Sequence, residues 1–339
     1  MPERQAWTEA GAEVVAPGIW RIPLPLPTDG LRAVNVYAIA DGNGLTLIDG
    51  GWALDVARKE LSAALGTLGC ALGDIRRFLV THAHRDHYTQ AVEIRREFGT
   101  SVLLGIGERP SIEKLATAVP PSLDVWFSAL KRHGADPVIE ALRPHVREGG
   151  RDNGYELPDE WIASGRTFEV GDRVLEAIET PGHTKGHMVF ADRDAGLLFA
   201  GDHVLPHITP SIAFEIDPPK LGLRDYLASL RLVRAMPDMT LLPAHGPAGD
   251  RVHARIDELL AHHATRLGDM AGVLRSGPAT AYGVAERIPW TSRKRRFADL
   301  DPFNQMLAIF ETALHLELLA AQGVVSIEEA DGVVVYRHA

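Results

Sequence analysis

The chain has 339 residues, 45% of them hydrophobic, and a formal net charge of −10 from 35 Lys and Arg against 45 Asp and Glu. That length holds one large domain and a smaller appendage, and the acidity argues against nucleic acid or an anionic membrane as the main partner. The single cysteine, Cys70, rules out an intrachain disulfide framework. With no secretion-type apolar region at the start and no apolar run near the ~20 residues of a membrane span, a soluble cytoplasmic protein is expected.

Residues 34–39 and 45–49 are rich in β-formers and flank Asp41-Gly42-Asn43-Gly44, which reads as a hairpin. Residues 54–65 carry helical spacing. Residues 76–81 read as a buried strand and 87–98 as the helix after it. The segment between them is therefore a strand-to-helix loop, where α/β scaffolds place chemistry. Residues 106–166 read as an insert of helices and loops, punctuated by Pro120-Pro121, Gly149-Gly150 and Pro158. Strands resume at 173–179, 188–191 and 197–200, a helix follows at 226–234, and a short strand ends with Leu241-Leu242. From Asp250 the pattern changes to a long amphipathic helix over 251–274 and two more over 281–287 and 305–322. Short β segments at 324–327 and 333–336 then enclose a turn. Three helices followed by a hairpin suggest a winged-helix-like module. The expected division is 1–249 for the main domain, with its insert at about 106–166, and 250–339 for the module.

The loop Thr81-His82-Ala83-His84-Arg85-Asp86-His87 places four metal-type donors within six residues. His and Asp suit Zn²⁺, and imidazole also suits iron and other transition metals. Along an extended or turning segment His82 and His84 can converge on one ion while Asp86 and His87 turn toward a second. One cluster cannot complete a two-metal site, and three further candidates end strands downstream. They are His183 in Pro181-Gly182-His183-Thr184-Lys185-Gly186-His187, Asp202 in Gly201-Asp202, and His245 in Pro243-Ala244-His245-Gly246.

With Asp49, these motifs stand in an order that resembles the five motifs of the metallo-β-lactamase superfamily, across roughly residues 18–250. The resemblance implies a four-layer αβ/βα sandwich with metals at one edge. It implies that His82, His84 and His183 hold one ion, Asp86, His87 and His245 the other, and that Asp202 bridges them. Two Zn²⁺ are expected, with iron or manganese as alternatives at either position. Asp49 would orient ligands from outside the coordination shell. The chemistry implied is hydrolysis by a hydroxide shared between the metals, with Asp86 or Asp202 passing the proton to the leaving atom.

The layout resembles in particular the branch with a C-terminal winged-helix module, of the beta-lactamase-like protein 2 and glyoxalase-II-like kinds, in which a homodimer is common. Asp202 stands where the commonest true β-lactamases carry Cys, which demotes β-lactam hydrolysis. The intact histidines speak against flavodiiron redox chemistry. The complete second ligand set speaks against a mononuclear iron dioxygenase and against a catalytically silent binding protein. Basic residues for glutathione, as in glyoxalase II, cannot be mapped. A small acyl substrate is the leading expectation: a thioester, lactone or similar ester-type carbonyl. The alternative is a metal-dependent phosphodiesterase or endoribonuclease acting on single-stranded RNA.

Other residues have plainer readings. His187 is expected to pack or hydrogen-bond rather than ligate. His203 and His207 follow Asp202 and either could face the pocket, and the Tyr88 hydroxyl could help an oxyanion. Cys70 reads as inert, and His262-His263 as solvated on a surface helix. Trp126 and Phe127 could line a hydrophobic substrate pocket or simply pack. Arg293-Lys294-Arg295-Arg296 invites a nucleic-acid reading, but residues 250–339 hold 12 acidic against 10 basic side chains, so a solvated loop is the simpler account.

Overall fold

A computed structural model describes residues 6–26, 30–117, 124–145, 154–216, 218–291 and 293–339. The expected breaks at Pro120-Pro121 and Gly149-Gly150 lie outside the described residues.

Seven strands form the first sheet in sequence order: β1 (Glu13–Ala16), β2 (Ile19–Pro25), β3 (Ala33–Asp41), β4 (Gly44–Ile48), β5 (Ile75–Val80), β6 (Ser101–Gly105) and β7 (Glu160–Ile162). β1 to β4 pair antiparallel, and β4 to β7 parallel. The parallel half needs crossovers. Two of these are helices, α1 (Asp55–Thr67) between β4 and β5, and α2 (Arg85–Phe98) between β5 and β6. The third crossover carries α3 (Arg109–Leu115), α4 (Asp124–Arg132) and α5 (Asp136–Leu142). A second sheet, in the order β12-β11-β10-β9-β8, comprises β8 (Thr167–Val170), β9 (Arg173–Glu179), β10 (Met188–Asp192), β11 (Leu197–Gly201) and β12 (Thr240–Pro243). α6 (Gly222–Arg234) crosses between β11 and β12, and α7 (Val252–Leu274) follows.

Side-chain alternation turns these sheets into layers. Tyr37, Ile39, Leu79 and Leu103 of the first sheet meet Phe190, Phe199 and Leu242 of the second in one inter-sheet core. Their neighbours Val36, Ala38, Phe78, Val80 and Leu104 point the other way, onto Leu61, Leu65 and Ala91 of α1 and α2. Val189, Leu198 and Ala200 likewise face Tyr226, Leu230 and Ile256 of α6 and α7. The result is the expected four-layer αβ/βα sandwich. Phe199 is fully buried and meets Tyr37 edge-on at 5.4 Å between ring centres. Phe199→Ala should therefore cost about 3–5 kcal/mol, the usual penalty for emptying a core aromatic site. Urea unfolding followed by far-UV circular dichroism reads it out, and a loss under 1 kcal/mol would contradict this packing.

The tail adds α8 (Ala281–Ala285), α9 (Pro302–Ala321) and the antiparallel pair β13 (Val325–Ala330) and β14 (Val333–His338). Leu130 of α4 and Val138 and Leu142 of α5 share one apolar core with Met270, Trp290, Ile309 and Leu316 of the tail. Insert and tail thus pack as one body at the side of the sandwich. Among the described residues no helix is long and apolar enough to cross a membrane.

The structure corrects several expectations. The insert does not run to residue 166 as helix and loop, because β7 adds to the sheet edge beside β6. Asp159 starts the pairing: its N–H donates to the Val102 carbonyl, and its carboxylate accepts the Val102 N–H at 2.7 Å. Three residues are too few to leave a period in the sequence. β2 also escaped notice, since Pro23 and Pro25 argue against an inner strand. β1 pairs only with residues 19–21 of β2, so both prolines lie on a stretch open on that side. α2 begins at Arg85 rather than His87, with Asp86 in its first turn, where a carboxylate suits the helix dipole. His263 is not solvated: it continues the buried stripe of Ile256 and Leu259 on α7 and reaches His315 of α9 at 3.1 Å.

Candidate metal centre

Four loops at one end of the two sheets converge. β5 ends at Val80, and the next residues, 81–84, lead into α2. The β9–β10 turn carries His183, the end of β11 carries Asp202, and the residues after β12 carry His245. Gly201 occupies a left-handed φ of +50°, and a Cβ there would come within 2.8 Å of Thr81. Glycine is what lets the Asp202 turn close on the histidine loop.

The ring nitrogens of His82 (Nε2), His84 (Nδ1) and His183 (Nε2) lie 3.0, 3.0 and 3.2 Å apart. Neutral imidazoles packed so closely need a reason, and their outer nitrogens supply it. His183 Nδ1 donates to the Ser211 carbonyl at 2.6 Å and His84 Nε2 to the Phe214 carbonyl at 3.0 Å. His82 Nδ1 donates to Thr81 Oγ1, whose own proton goes to Asp49. Each ring therefore carries its proton on the outside and turns a lone pair inward. Three lone pairs facing one point repel each other unless a cation stands between them. Burial holds His82 and His84 below the usual imidazole range, and burial beside His84 holds His183 down to about 3, so all three stay neutral.

The second group has the same logic. His87 Nδ1 donates to Asp49 Oδ2 at 2.9 Å, and His245 Nδ1 to the Ala33 carbonyl at 2.8 Å. Among the described residues their Nε2 atoms have no hydrogen-bond partner although both are buried. Both point at Asp86 Oδ2, at 3.6 and 3.5 Å. Burial opposes charge on His87, but Asp86, Asp49 and Asp202 outweigh it and raise its pKa to about 10: the three carboxylates call for a positive charge at Nε2, which a proton supplies or a cation bound by the Nε2 lone pair would replace. Burial opposes charge on Asp86 too, and His87 and His245 hold it ionised.

Asp202 lies between the groups. Its Oδ2 is 3.4 Å from His183 Nε2, and its Oδ1 is 3.4 Å from His245 Nε2 and 3.7 Å from His87 Nε2. Oδ1 is a third buried orphan. Unpaired buried polar atoms are costly and rare, and here three of them face one space. The described residues thus offer three metal-competent groups: His82, His84 and His183; His82, His87 and Asp202; and Asp86, His87 and His245. The donor chemistry, nitrogen with carboxylate oxygen, fits divalent transition-metal ions.

The surroundings rank the remaining residues. Asp49 adopts a φ of +63° and accepts from the Thr81 N–H at 2.8 Å as well as from His87. His187 is buried: its Nε2 accepts the Asp202 N–H at 3.1 Å, and its Nδ1 sits 2.9 Å from Thr180 Oγ1. It fixes the Asp202 backbone. Asn35 donates to the carbonyls of Pro243 and Gly246, and Tyr37 to that of Pro243, which anchors the His245 loop to β3. Tyr88 is spent elsewhere, donating to the Glu156 carbonyl at 2.8 Å and stacking on Tyr155. His203 is buried against Tyr226, and His207 is exposed. The Ser211, Phe214 and Ala33 carbonyls were invisible in the sequence because any residue can offer one.

His84 and Asp86 are the partly exposed members, so they mark the open side. Beside His84, at 6.3 Å, lies the Phe214 ring, which meets Trp126 of α4 at 4.3 Å and Phe303 of α9 at 6.0 Å. Trp126 also meets Phe310 at 5.8 Å. Phe127 is turned to Arg143. Residues 293–296 are exposed, and Arg296 pairs with Asp299.

A family model described as "Metallo-beta-lactamase superfamily" matches residues 29–245. The "Probable metallo-hydrolase YqjP" of Bacillus subtilis is 26% identical over 89% of this chain and 91% of its own length. The "Atrochrysone carboxyl ACP thioesterase AacuM" of Aspergillus aculeatus is 31% identical over 39% of this chain and 40% of its own length. A metallo-beta-lactamase family protein of Thermus thermophilus superposes with a TM-score of 0.80 at 26% identity, covering 96% of this chain and all of the other.

Proposed function

The chain belongs to the metallo-β-lactamase superfamily, and from that premise we propose that it is a two-metal hydrolase of thioester or similar ester-type carbonyls whose acyl part is apolar. The observation that carries this reading is the set of inward lone pairs divided into two groups, with Asp202 facing both. Two divalent cations held there would supply an ionised water at neutral pH and polarise the acyl oxygen. His82, His84 and His183 would hold one, Asp86, His87 and His245 the other, and Asp202 would lie between them. Asp86 is a partly exposed member of the site and is the carboxylate placed to take a proton from water and return it to the leaving atom. Asp202 is walled in and serves to space the two groups. Zinc is the ion that best suits this donor set.

The aromatic patch of Phe214, Trp126 and Phe303 beside His84 supports an apolar acyl group. The thioesterase named above, though matched over a minor part of its length, has the same class of reaction in its name. Elemental analysis tests the metals, and a panel of acyl thioesters, lactones and labelled single-stranded RNA tests the substrate. Two zinc per chain with thioester or lactone turnover is expected. RNA cleavage with no acyl hydrolysis would replace this reading. Trp126→Ala should raise KM for long or aromatic acyl thioesters several-fold while leaving kcat nearly unchanged, since it removes binding common to ground and transition states. An equal loss with a short acetyl thioester would sink the acyl-wall assignment.

A further inference from the structure

Two buried glutamates adjoin the centre without entering either ligand group. Glu108 follows β6 and is fully buried, and Glu215 lies on the loop after Asp202 at 8% exposure. Burial and the neighbouring Glu215 charge push the Glu108 carboxyl up. A buried acidic pair costs stability, so its contacts should reveal what it does.

Those contacts fall on the two histidine loops. Glu108 Oε1 accepts the Thr184 hydroxyl, one residue after His183. The N–H groups of Gly186 and Ala83 also favour the charged form of Glu108, and Ala83 lies between His82 and His84. Glu215 Oε1 accepts the Lys185 N–H at 2.8 Å, while its Oε2 accepts from Ser111 of α3 at 2.9 Å. The backbones touch as well. A Cβ on Gly186 would lie 2.1 Å from the Glu108 nitrogen, and one on Gly107 2.7 Å from the Gly186 Cα. One carboxylate thus bridges a loop of the first sheet to a loop of the second, next to the place where His183 must come within 3.0 and 3.2 Å of His84 and His82.

We infer that Glu108, braced by Glu215, is a positioning residue that fixes the His183 loop against His82-Ala83-His84 and so sets the three-nitrogen face. This rests on the reading of that face as a metal site. Glu108 touches none of the reacting atoms and acts through Thr184 and the two backbones. Gln at this position keeps the shape but cannot take the negative charge that the Thr184 hydroxyl and the Gly186 and Ala83 N–H groups favour.

The test is Zn²⁺ affinity by competition with a chromophoric chelator, on the full chain, for wild type, Glu108→Gln and Thr184→Val, with KM and kcat alongside. Mutating partners that orient metal ligands typically weakens affinity about 10–100-fold. Glu108→Gln should fall in that range and Thr184→Val should move the same way by less, with kcat lowered more than KM is raised. If Glu108→Gln does not fold, Thr184→Val decides. A wild type that binds two zinc while every folded variant keeps its affinity within twofold overturns the positioning role alone. A wild type that binds no zinc overturns the metal reading and this inference with it.

Discussion

Asp202→Ala should abolish turnover and leave the protein with at most one tightly held metal. Asp202 is the carboxylate that faces both ligand groups, 3.4 Å from His183 on one side and 3.4 Å from His245 on the other. Removing it leaves His82, His84 and His183 with their nitrogens in place, but strips the second group of a charge that helps offset two dications. If Asp202 bridges two ions as proposed, losing it should exceed the penalty for an outer partner, so kcat/KM should fall by more than about 100-fold. The reciprocal effect is on stability. Metal binds the folded chain and not the unfolded one, so zinc should raise the melting temperature of the wild type. In Asp202→Ala that increment should shrink. Elemental analysis, thioester turnover and melting with and without chelator form one experiment. Two retained metals with activity within a few-fold of wild type would end the bridging assignment.

The residues of the candidate site were more legible in the sequence than the strands that carry them. His82, His84, Asp86 and His87 sit in one short run, and donor spacing that tight is visible without a fold. His183, Asp202 and His245 became visible through motif order, because each follows a strand within a few residues and a strand end is locally marked. Three things were hidden. Short or proline-bearing strands such as β7 and β2 carry no periodicity. Backbone acceptors such as the Ser211 and Phe214 carbonyls carry no side-chain signature, yet they fix the tautomers of His183 and His84. Glu108 was missed although Gly105 and Gly107 precede it, and two glycines that close can mark a near approach of backbones. His263 misled for a related reason. It stands beside exposed His262 in sequence but one helical step, about 100°, around the axis, which places it in the core between α7 and α9.

Asp49→Ala should reduce metal affinity and kcat about 10–100-fold, the range for a partner that orients a metal-binding histidine. The side chain does two jobs. Oδ2 takes the Nδ1 proton of His87 and so keeps the His87 Nε2 lone pair aimed at the centre. Oδ1 takes the Thr81 N–H and hydroxyl, and Thr81 Oγ1 in turn receives the Nδ1 proton of His82. One carboxylate therefore sets a tautomer in each ligand group. Its backbone, at a φ of +63°, is strained for any residue with a Cβ, by roughly 1–3 kcal/mol. Asp49→Gly separates the two effects. It relieves the strain, so it should be no less stable than Asp49→Ala in urea, yet it should lose metal and turnover to the same degree. Asp49→Asn keeps the shape but replaces an acceptor with a donor, and should fall near Asp49→Ala in activity. If Asp49→Gly instead recovered wild-type metal affinity, the residue would matter through its backbone, and the tautomer account of His82 and His87 would have to be abandoned.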